Sequence, residues 1–379
     1  MGRQDRRTIP LHDRAQRPFS FTLPDPLLAQ LARIDREGSG HVSVPGQIAD
    51  PSTRERYLQS SLTEEAITSS LLEGAATTRE EAREMIRTER PPRNDGERMV
   101  LGNYRAMEWL RTQRQAELTP ALVLELHRIL MQDSRPELAG RPRTADTPVT
   151  VRDHQTGHVL HVPPDAEELA DRLEAMCAFA NAPTNDGAFV HPVVRAIVLH
   201  FWLAYDHPFV DGNGRTARAL FYWSMLRRGY WLFEFVSIST LLRRAPARYA
   251  RSFLLTETDD LDLTYFLLDQ TRTMGLALDS LHAYLVRKRD ELNQTLRIVR
   301  ASANLNARQL ALVTHALQHP QHHYTVAAHQ TSHRVTNATA RTDLLGLAGR
   351  GLLVQRKVGK KFVFTPAPDL AERLRTLEA

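Results

Sequence analysis

HPFVDGNGRTAR, residues 207–218, joins two apolar helical runs, and its reading decides the fold. The run before it, HPVVRAIVLHFWLAYD (191–206), has the length and apolarity of a buried helix. Pro208 disfavours α geometry at His207, so the histidine should sit at a helix end or in a turn, exposed rather than packed. Gly212 and Gly214 flank Asn213 in a tight loop that permits positive φ and whose backbone N–H groups can face an anion. A second helix, RTARALFYWSMLRRG (215–229), should follow and end at Gly229. Arg215 and Arg218 fall on nearly one face of its first turn, where cations oppose the helix dipole at a cost of about 0.3–1 kcal/mol each. A bound anion explains that placement, and phosphate suits two guanidinium groups. Asp211 supplies an oxygen suited to Mg²⁺, which takes one or two carboxylates plus substrate phosphates. Base, carboxylate, anion cradle and cationic clamps together point to phosphotransfer. The plainer alternative is a Gly-rich interhelical turn with a surface histidine and a solvated basic turn.

Working outward, the chain reads as mainly helical from about residue 60. TEEAITSSLLEG (63–74) is a helix closed by Gly74, and TTREEAREMIR (77–87) carries capping-box spacing at Thr78 and Glu81. ERMVLGNYRAMEWLRTQR (97–114) follows, then TPALVLELHRILMQ (119–132), with Thr119 at the N-cap and Pro120 at N1. PVTVRDHQTGHVLHVPPD (148–165) changes to a hairpin pattern, and AEELADRLEAMCAFAN (166–181) returns to helix. Residues 1–59 read as a polar, Pro-rich extension with one helical candidate, DPLLAQLARIDREG (25–38). The helical core spans 60–285 and includes a helix at about 63–73. A helical linker covers 286–300, and 301–379 form a separate domain.

Of 379 residues, 42% are hydrophobic and 25% charged, the profile of a soluble globular protein of two or three domains. The N-terminal residues lack an apolar signal core, and no run of 18 apolar residues offers a membrane span. The single cysteine, Cys177, can form no intrachain disulfide, and a cytoplasmic setting is expected. The net charge of +5 is unevenly spread: between residues 305 and 365, eight lysines and arginines face one acid, Asp343, a local +7.

Residues 207–218 match H-x-F-x-D/E-G-N-G-R-x-x-R at every specified position, and in this the chain resembles the Fic family of protein AMP-transferases over roughly residues 60–285. The resemblance implies a Fic-type helical bundle with a small β-hairpin flap. It also implies that His207 deprotonates a protein hydroxyl that attacks the α-phosphorus of ATP. Phe209 would be buried as the loop anchor, and Asp211 would hold Mg²⁺. The Gly212-Asn213-Gly214 backbone and the Asn213 side chain would cradle phosphates. Arg215 would reach the β-phosphate and Arg218 the γ-phosphate. The hairpin, with Val149, Thr150, Val151, Val159, Leu160 and His161, would be the flap that aligns the target segment by strand addition. A family variant that transfers phosphate carries Lys at the position of Gly214, so Gly214 favours AMP transfer. Auto-modification and a homodimer are further possibilities that the resemblance raises.

Ser69, Glu73 and Gly74 match the Fic inhibitory motif S/T-x-x-x-E-G/N. By resemblance, Glu73 would pair with Arg218 and block the γ-phosphate position. Read without the family, Glu73 is a surface carboxylate before a glycine cap. In the C-terminal segment, ARQLALVTHAL (307–317), YTVAAHQTSHR (324–334) and VTNATARTDLLGLAGRGLL (335–353) read as three helices, and LLVQRKVGKKFVFTP (352–366) as a basic hairpin; together they resemble a winged helix-turn-helix domain. Thr336, Asn337, Thr339, Arg341 and Thr342 would lie on or beside the recognition helix, and Lys360 and Lys361 at the wing tip. That composition suits DNA; the alternative is a module for protein contacts or dimerisation.

Two other functions compete: a winged-helix DNA-binding regulator with a nucleotide-sensing core, and a de-AMPylating enzyme in which Glu73 orients water. A hydrolytic metal site built from His191, His200, His207 and Asp211 leaves the loop glycines and paired arginines unexplained. Phe221, Tyr222 and Trp223 read as core and interface rather than a nucleotide box, His322 and His323 as a solvated loop, and Tyr249 as a candidate adenine contact.

Overall fold

The computed structural model describes residues 6–39, 51–152, 157–183, 189–301, 305–319, 322–358 and 361–376. It divides into two units, Met1–His282 and Ala283–Ala379. In the first, strands β1 (Arg7–His12) and β2 (Pro18–Phe21) form an antiparallel hairpin that the polar composition concealed. Its alternate residues Ile9, Leu11, Phe19 and Phe21 are buried, as a half-covered ribbon requires. Helix α1 (Asp25–Gly38) buries Leu27, Leu31 and Ile34, one stripe at helical spacing. These residues are therefore not an appendage, as the sequence reading of 1–59 had it. Backbone bonds of Ser20 to Leu261 and Leu263 tie the hairpin to the helical body.

Helix α2 (Pro51–Leu72) starts well before the expected 63 and ends, as expected, just before Gly74. The helices α3 (Arg79–Thr88), α4 (Asp95–Thr112) and α5 (Pro120–Met131) follow. The capping box of Thr78 and Glu81 is complete, and Thr119 caps α5 ahead of Pro120. Strands β3 (Val151–Arg152) and β4 (Val159–His161) pair antiparallel, and α6 (Leu169–Asn181) returns to the body. The centre is a packed pair, α7 (Pro192–Asp206) and α8 (Asn213–Arg227). Thirteen residues of α7 are buried, which explains its lack of a polar face. Phe221, Tyr222 and Trp223 of α8 are core, as read from sequence. After α9 (Ile238–Arg244) and α10 (Pro246–Thr258), Phe253 and Phe266 close an aromatic cluster on Phe201 and Phe19.

Helix α11 (Thr264–Ala301) runs through the expected linker 286–300, and the division between the units falls inside it, after His282 rather than near 300. The second unit contains α12 (Ala307–Gln318), β5 (Tyr324–Thr325), α13 (Val326–His333), α14 (Asn337–Gly349), β6 (Leu353–Val358), β7 (Lys361–Pro366) and α15 (Leu370–Thr376). Its antiparallel sheet has the order β5-β7-β6, and Leu312, Val313, Leu344, Leu347 and Phe364 fill its core. Asp343 is buried there and accepts hydrogen bonds from Asn306 and Arg308. The one acid of the basic segment is thus matched internally by Arg308, and the remaining cations keep the full +7.

Candidate active site

His207 is the C-cap of α7 with φ 47° and ψ 56°, the left-handed geometry that lets the chain leave the helix before Pro208. The ring is partly buried, not exposed as the sequence suggested. Its Nδ1 lies 3.2 Å from the carbonyl oxygen of Ala204. A carbonyl only accepts, so Nδ1 carries the proton and the lone pair sits on Nε2. Burial lowers the imidazole pKa to about 4, partly opposed by the Ala204 contact, so the ring is neutral at physiological pH.

The loop is held from both sides. Phe209 is fully buried and stacks on His127, ring centroids 3.6 Å apart. His127 Nδ1 accepts from the Gly140 N–H at 3.1 Å, which leaves its Nε2–H to donate to the Asp211 carbonyl at 2.9 Å. Arg143 donates through Nε to the His207 carbonyl at 2.9 Å and through Nη2 to those of Asp206 and Pro164, while its own N–H reaches Pro208 O at 2.8 Å. His127 and Arg143 were missed in the sequence; each acts on backbone atoms far along the chain, and no local pattern marks that. Gly212, with φ 83°, is the N-cap of α8, and a Cβ there would come within 2.9 Å of Met131 Sδ. Gly214 lies inside α8 rather than in the loop, because the helix begins at Asn213.

Asn213 corrects the expectation for its side chain. Its Oδ1 accepts from the Phe209 N–H at 2.9 Å and its Nδ2 donates to the Phe209 carbonyl at 2.8 Å, with the residue 3% exposed. Both polar atoms brace the loop. The first-turn N–H groups of α8 receive no side-chain cap from Gly212, which leaves an electropositive helix end. Asp211 is half-buried, accepts the Gly212 N–H at 2.6 Å through Oδ1, and sits 3.6 Å from Arg215 Nη2. Arg215 is buried; its Nε and Nη1 have no hydrogen-bond partner among the described residues, and its Nη2 meets Met131 Sδ at 3.2 Å. Among the described residues no cluster of three or more His, Cys, Asp or Glu could hold a metal. A lone half-buried carboxylate still fits magnesium, which draws its other ligands from water and phosphates.

The electropositive end of α8 faces a carboxylate of the chain itself. Arg218 Nη2 donates to Glu73 Oε1 at 2.9 Å, and Arg218 also donates to Ser69 Oγ at 3.0 Å and to the Ser69 carbonyl at 3.2 Å. A Cβ on Gly214 would fall 2.2 Å from Glu73 Oε1, so the absent side chain makes room for this carboxylate. Burial pulls the Arg218 pKa down, but Glu73, with Tyr249 and Glu65, outweighs it, and the net shift is upward.

The hairpin is shorter than expected: Val149 and Thr150 precede β3, while Val151, Val159, Leu160 and His161 lie in the paired strands. Val159 and Leu160 are exposed. His161 points into the body instead, with Nδ1 2.8 Å from Glu257 Oε2 and Nε2 2.7 Å from Tyr205 O. The alternative metal set is dispersed: His191 contacts Asp35, His200 contacts the Tyr249 hydroxyl, and His207 contacts Ala204. In the second unit Thr336 caps α14, and Asn337, Thr339, Arg341 and Thr342 lie on that helix. Lys361 opens β7 rather than a turn tip, and Lys360 lies outside the described residues. His322 and His323 are exposed, although His322 packs edge-on against Tyr324.

The sequence model described as Fic/DOC family matches residues 117–225, the interval that holds His127, the hairpin and the whole 207–218 loop. Over that interval the chain is similar to the Fic/DOC family. It is 34% identical over 134 residues to a protein adenylyltransferase Fic of Nematostella vectensis, 35% of this chain and 29% of that protein. It is 32% identical over 133 residues to one of Drosophila grimshawi, 35% of this chain and 25% of that protein. The matched stretch thus spans less than a third of these curated relatives. The structure is similar to a Fic family protein from Desulfovibrio desulfuricans, with TM-score 0.62 and 16% identity over 92% of this chain and 98% of the other. It is also similar to Fic-1 of C. elegans, with TM-score 0.53 and 22% identity over 70% of this chain and 73% of the other. Both structures bear on the fold: a mainly helical Fic body with small sheets. Among the described residues no helix is long and apolar enough to cross a membrane.

Proposed function

We propose that this Fic protein transfers AMP from ATP to a hydroxyl of a protein target, and that Glu73 holds it in an inhibited state. What carries the proposal is the pairing of a neutral imidazole, whose Nε2 lone pair is left free by the Ala204 contact, with the electropositive start of the next helix. Target oxygen attacks the α-phosphorus, its proton passes to His207 Nε2, and the bond from that phosphorus to the β-phosphate oxygen breaks to release pyrophosphate. The first N–H groups of α8, Arg215 and Arg218 bind the phosphates. Asp211 would hold a magnesium ion, which when bound neutralises phosphate charge. The exposed Val159 and Leu160 on β4 support target docking along the hairpin.

Glu73 occupies the position an anion would take: beside Gly214 in the first turn of α8 and on the Arg218 guanidinium. That supports autoinhibition, since a γ-phosphate and this carboxylate compete for one cation. Intact-mass measurement with ATP and Mg²⁺ tests the chemistry. One AMP is expected on Glu73→Gly and none on Glu73→Gly/His207→Ala; modification that persists without His207 refutes the assigned base.

A second reading concerns the C-terminal unit. The order helix, strand, helix, helix, hairpin and the local +7 support a winged-helix module that binds DNA through α14. Retardation of duplex DNA should appear at low salt and fade steeply as salt rises; none at low salt rules it out.

A further inference from the structure

Glu65 is 3% exposed and lies on α2, two turns before Glu73. Its carboxylate accepts from the Tyr222 hydroxyl at 2.9 Å, the Ser237 hydroxyl at 2.9 Å, the Ser239 N–H at 3.1 Å and the Ser239 hydroxyl. All four donors are neutral. Tyr222 is itself fixed, since its oxygen accepts the Ile238 N–H at 2.8 Å. Neither the AMP-transfer chemistry nor the inhibitory pair uses this buried carboxylate.

Its place in the helix is informative. Residues 65 and 69 lie one turn apart on α2 and Glu73 follows four positions on, just past its end, and each meets α8 four positions apart in the opposite direction. Glu65 meets Tyr222, Ser69 meets Arg218, and Glu73 meets Arg218 over Gly214. Four residues advance a helix by about 6 Å, so a slip of one turn would break every rung at once. Glu73 cannot set this register itself. It follows the last residue of α2, its side chain is a third exposed, and its carboxylate makes one bond to Arg218. Its charge also stands at a helix C-terminus, which the dipole disfavours.

We propose that Glu65 is the positioning residue of the inhibitory device: through Tyr222 of α8 and through Ser237 and Ser239 at the start of α9 it fixes the axial position of α2 and thereby keeps Glu73 on Arg218. The inference rests on autoinhibition by Glu73. Glu65→Gln is nearly the same shape but replaces one acceptor oxygen with an NH₂ group that faces donors, so the anchor weakens while the helix stays packed.

The test compares AMP incorporation from ATP and Mg²⁺ in full-length wild type, Glu65→Gln, Glu73→Gly and the double variant, with hydrogen exchange of residues 60–72 as a second readout. Glu65→Gln should raise incorporation about five- to thirtyfold and speed exchange in α2. The double variant should match Glu73→Gly alone, because the anchor acts only through that carboxylate. Ser239→Ala, which removes one donor and leaves the carboxylate, should move activity the same way by less. A folded Glu65→Gln protein with wild-type or lower activity, beside an activated Glu73→Gly, overturns the anchor and leaves autoinhibition standing. Additive activation in the double variant also overturns it. An inactive Glu73→Gly removes the autoinhibition on which it rests.

Discussion

Glu73→Gly should make the protein less stable and more active at the same time. The variant removes the only carboxylate among the described residues that bonds to the buried Arg218, but Ser69 still accepts two hydrogen bonds from the guanidinium. A hydrogen bond to a charged group contributes about 1.5–3 kcal/mol. Glu73 is 32% exposed, which places this pair toward the lower end of that range. Unfolding free energy should therefore fall by about 1.5–2 kcal/mol. The same contact must open before a γ-phosphate can reach Arg218. If opening costs the same 1.5–2 kcal/mol, its removal raises the productive fraction by about 10- to 30-fold. Denaturant unfolding monitored by circular dichroism gives the first quantity, and initial rates of AMP incorporation at saturating ATP give the second. ATP should restore more stability to Glu73→Gly than to wild type, since the γ-phosphate replaces the lost anion. A folded variant whose rate is equal to or below that of wild type would refute the competition between Glu73 and phosphate.

Asn213→Ala removes both bonds to the Phe209 backbone and leaves a buried N–H and C=O unpaired, so stability should drop by about 2–4 kcal/mol and ATP affinity should fall with it; calorimetric titration showing lost affinity at unchanged stability would return Asn213 to direct phosphate contact. His127 is held neutral, its pKa lowered to about 4, chiefly by burial. The unfolded chain titrates near 6.5, so it binds the proton first as pH falls, and stability present at pH 7 is lost between about 6.5 and 4, by about 3 kcal/mol. Unfolding free energies measured across that window should fall less steeply in His127→Asn than in wild type; equal slopes would show that His127 does not contribute.

The twelve residues 207–218 were legible as a unit because their roles are local. Pro208 ends α7, Gly212 supplies positive φ, and the arginines oppose their helix dipole within one turn. The capping signals at Thr78 and Thr119 were legible for the same reason, since a cap is a contact between residues two or three apart. The first hairpin was not: Ile9, Leu11, Phe19 and Phe21 are too few and too interrupted by polar residues to announce two strands, and they become apolar ribbon only against the helical body. Sequence likewise misjudged Asn213. It reads as a phosphate ligand between glycines until the fold brings the Phe209 peptide within reach of both its polar atoms.

Sequence alone determined that a histidine, a carboxylate and two guanidinium groups share one helix–loop–helix, because capping, turn geometry and dipole are properties of neighbouring residues. Only the tertiary structure decided what surrounds them: His127 under Phe209, Arg143 on the backbone of His207, and Glu73 on Arg218 with Glu65 behind it. Those contacts join residues separated by tens to well over a hundred positions. They exist because α2, α5 and α8 bury apolar stripes against a common core, and packing then fixes which polar groups must meet.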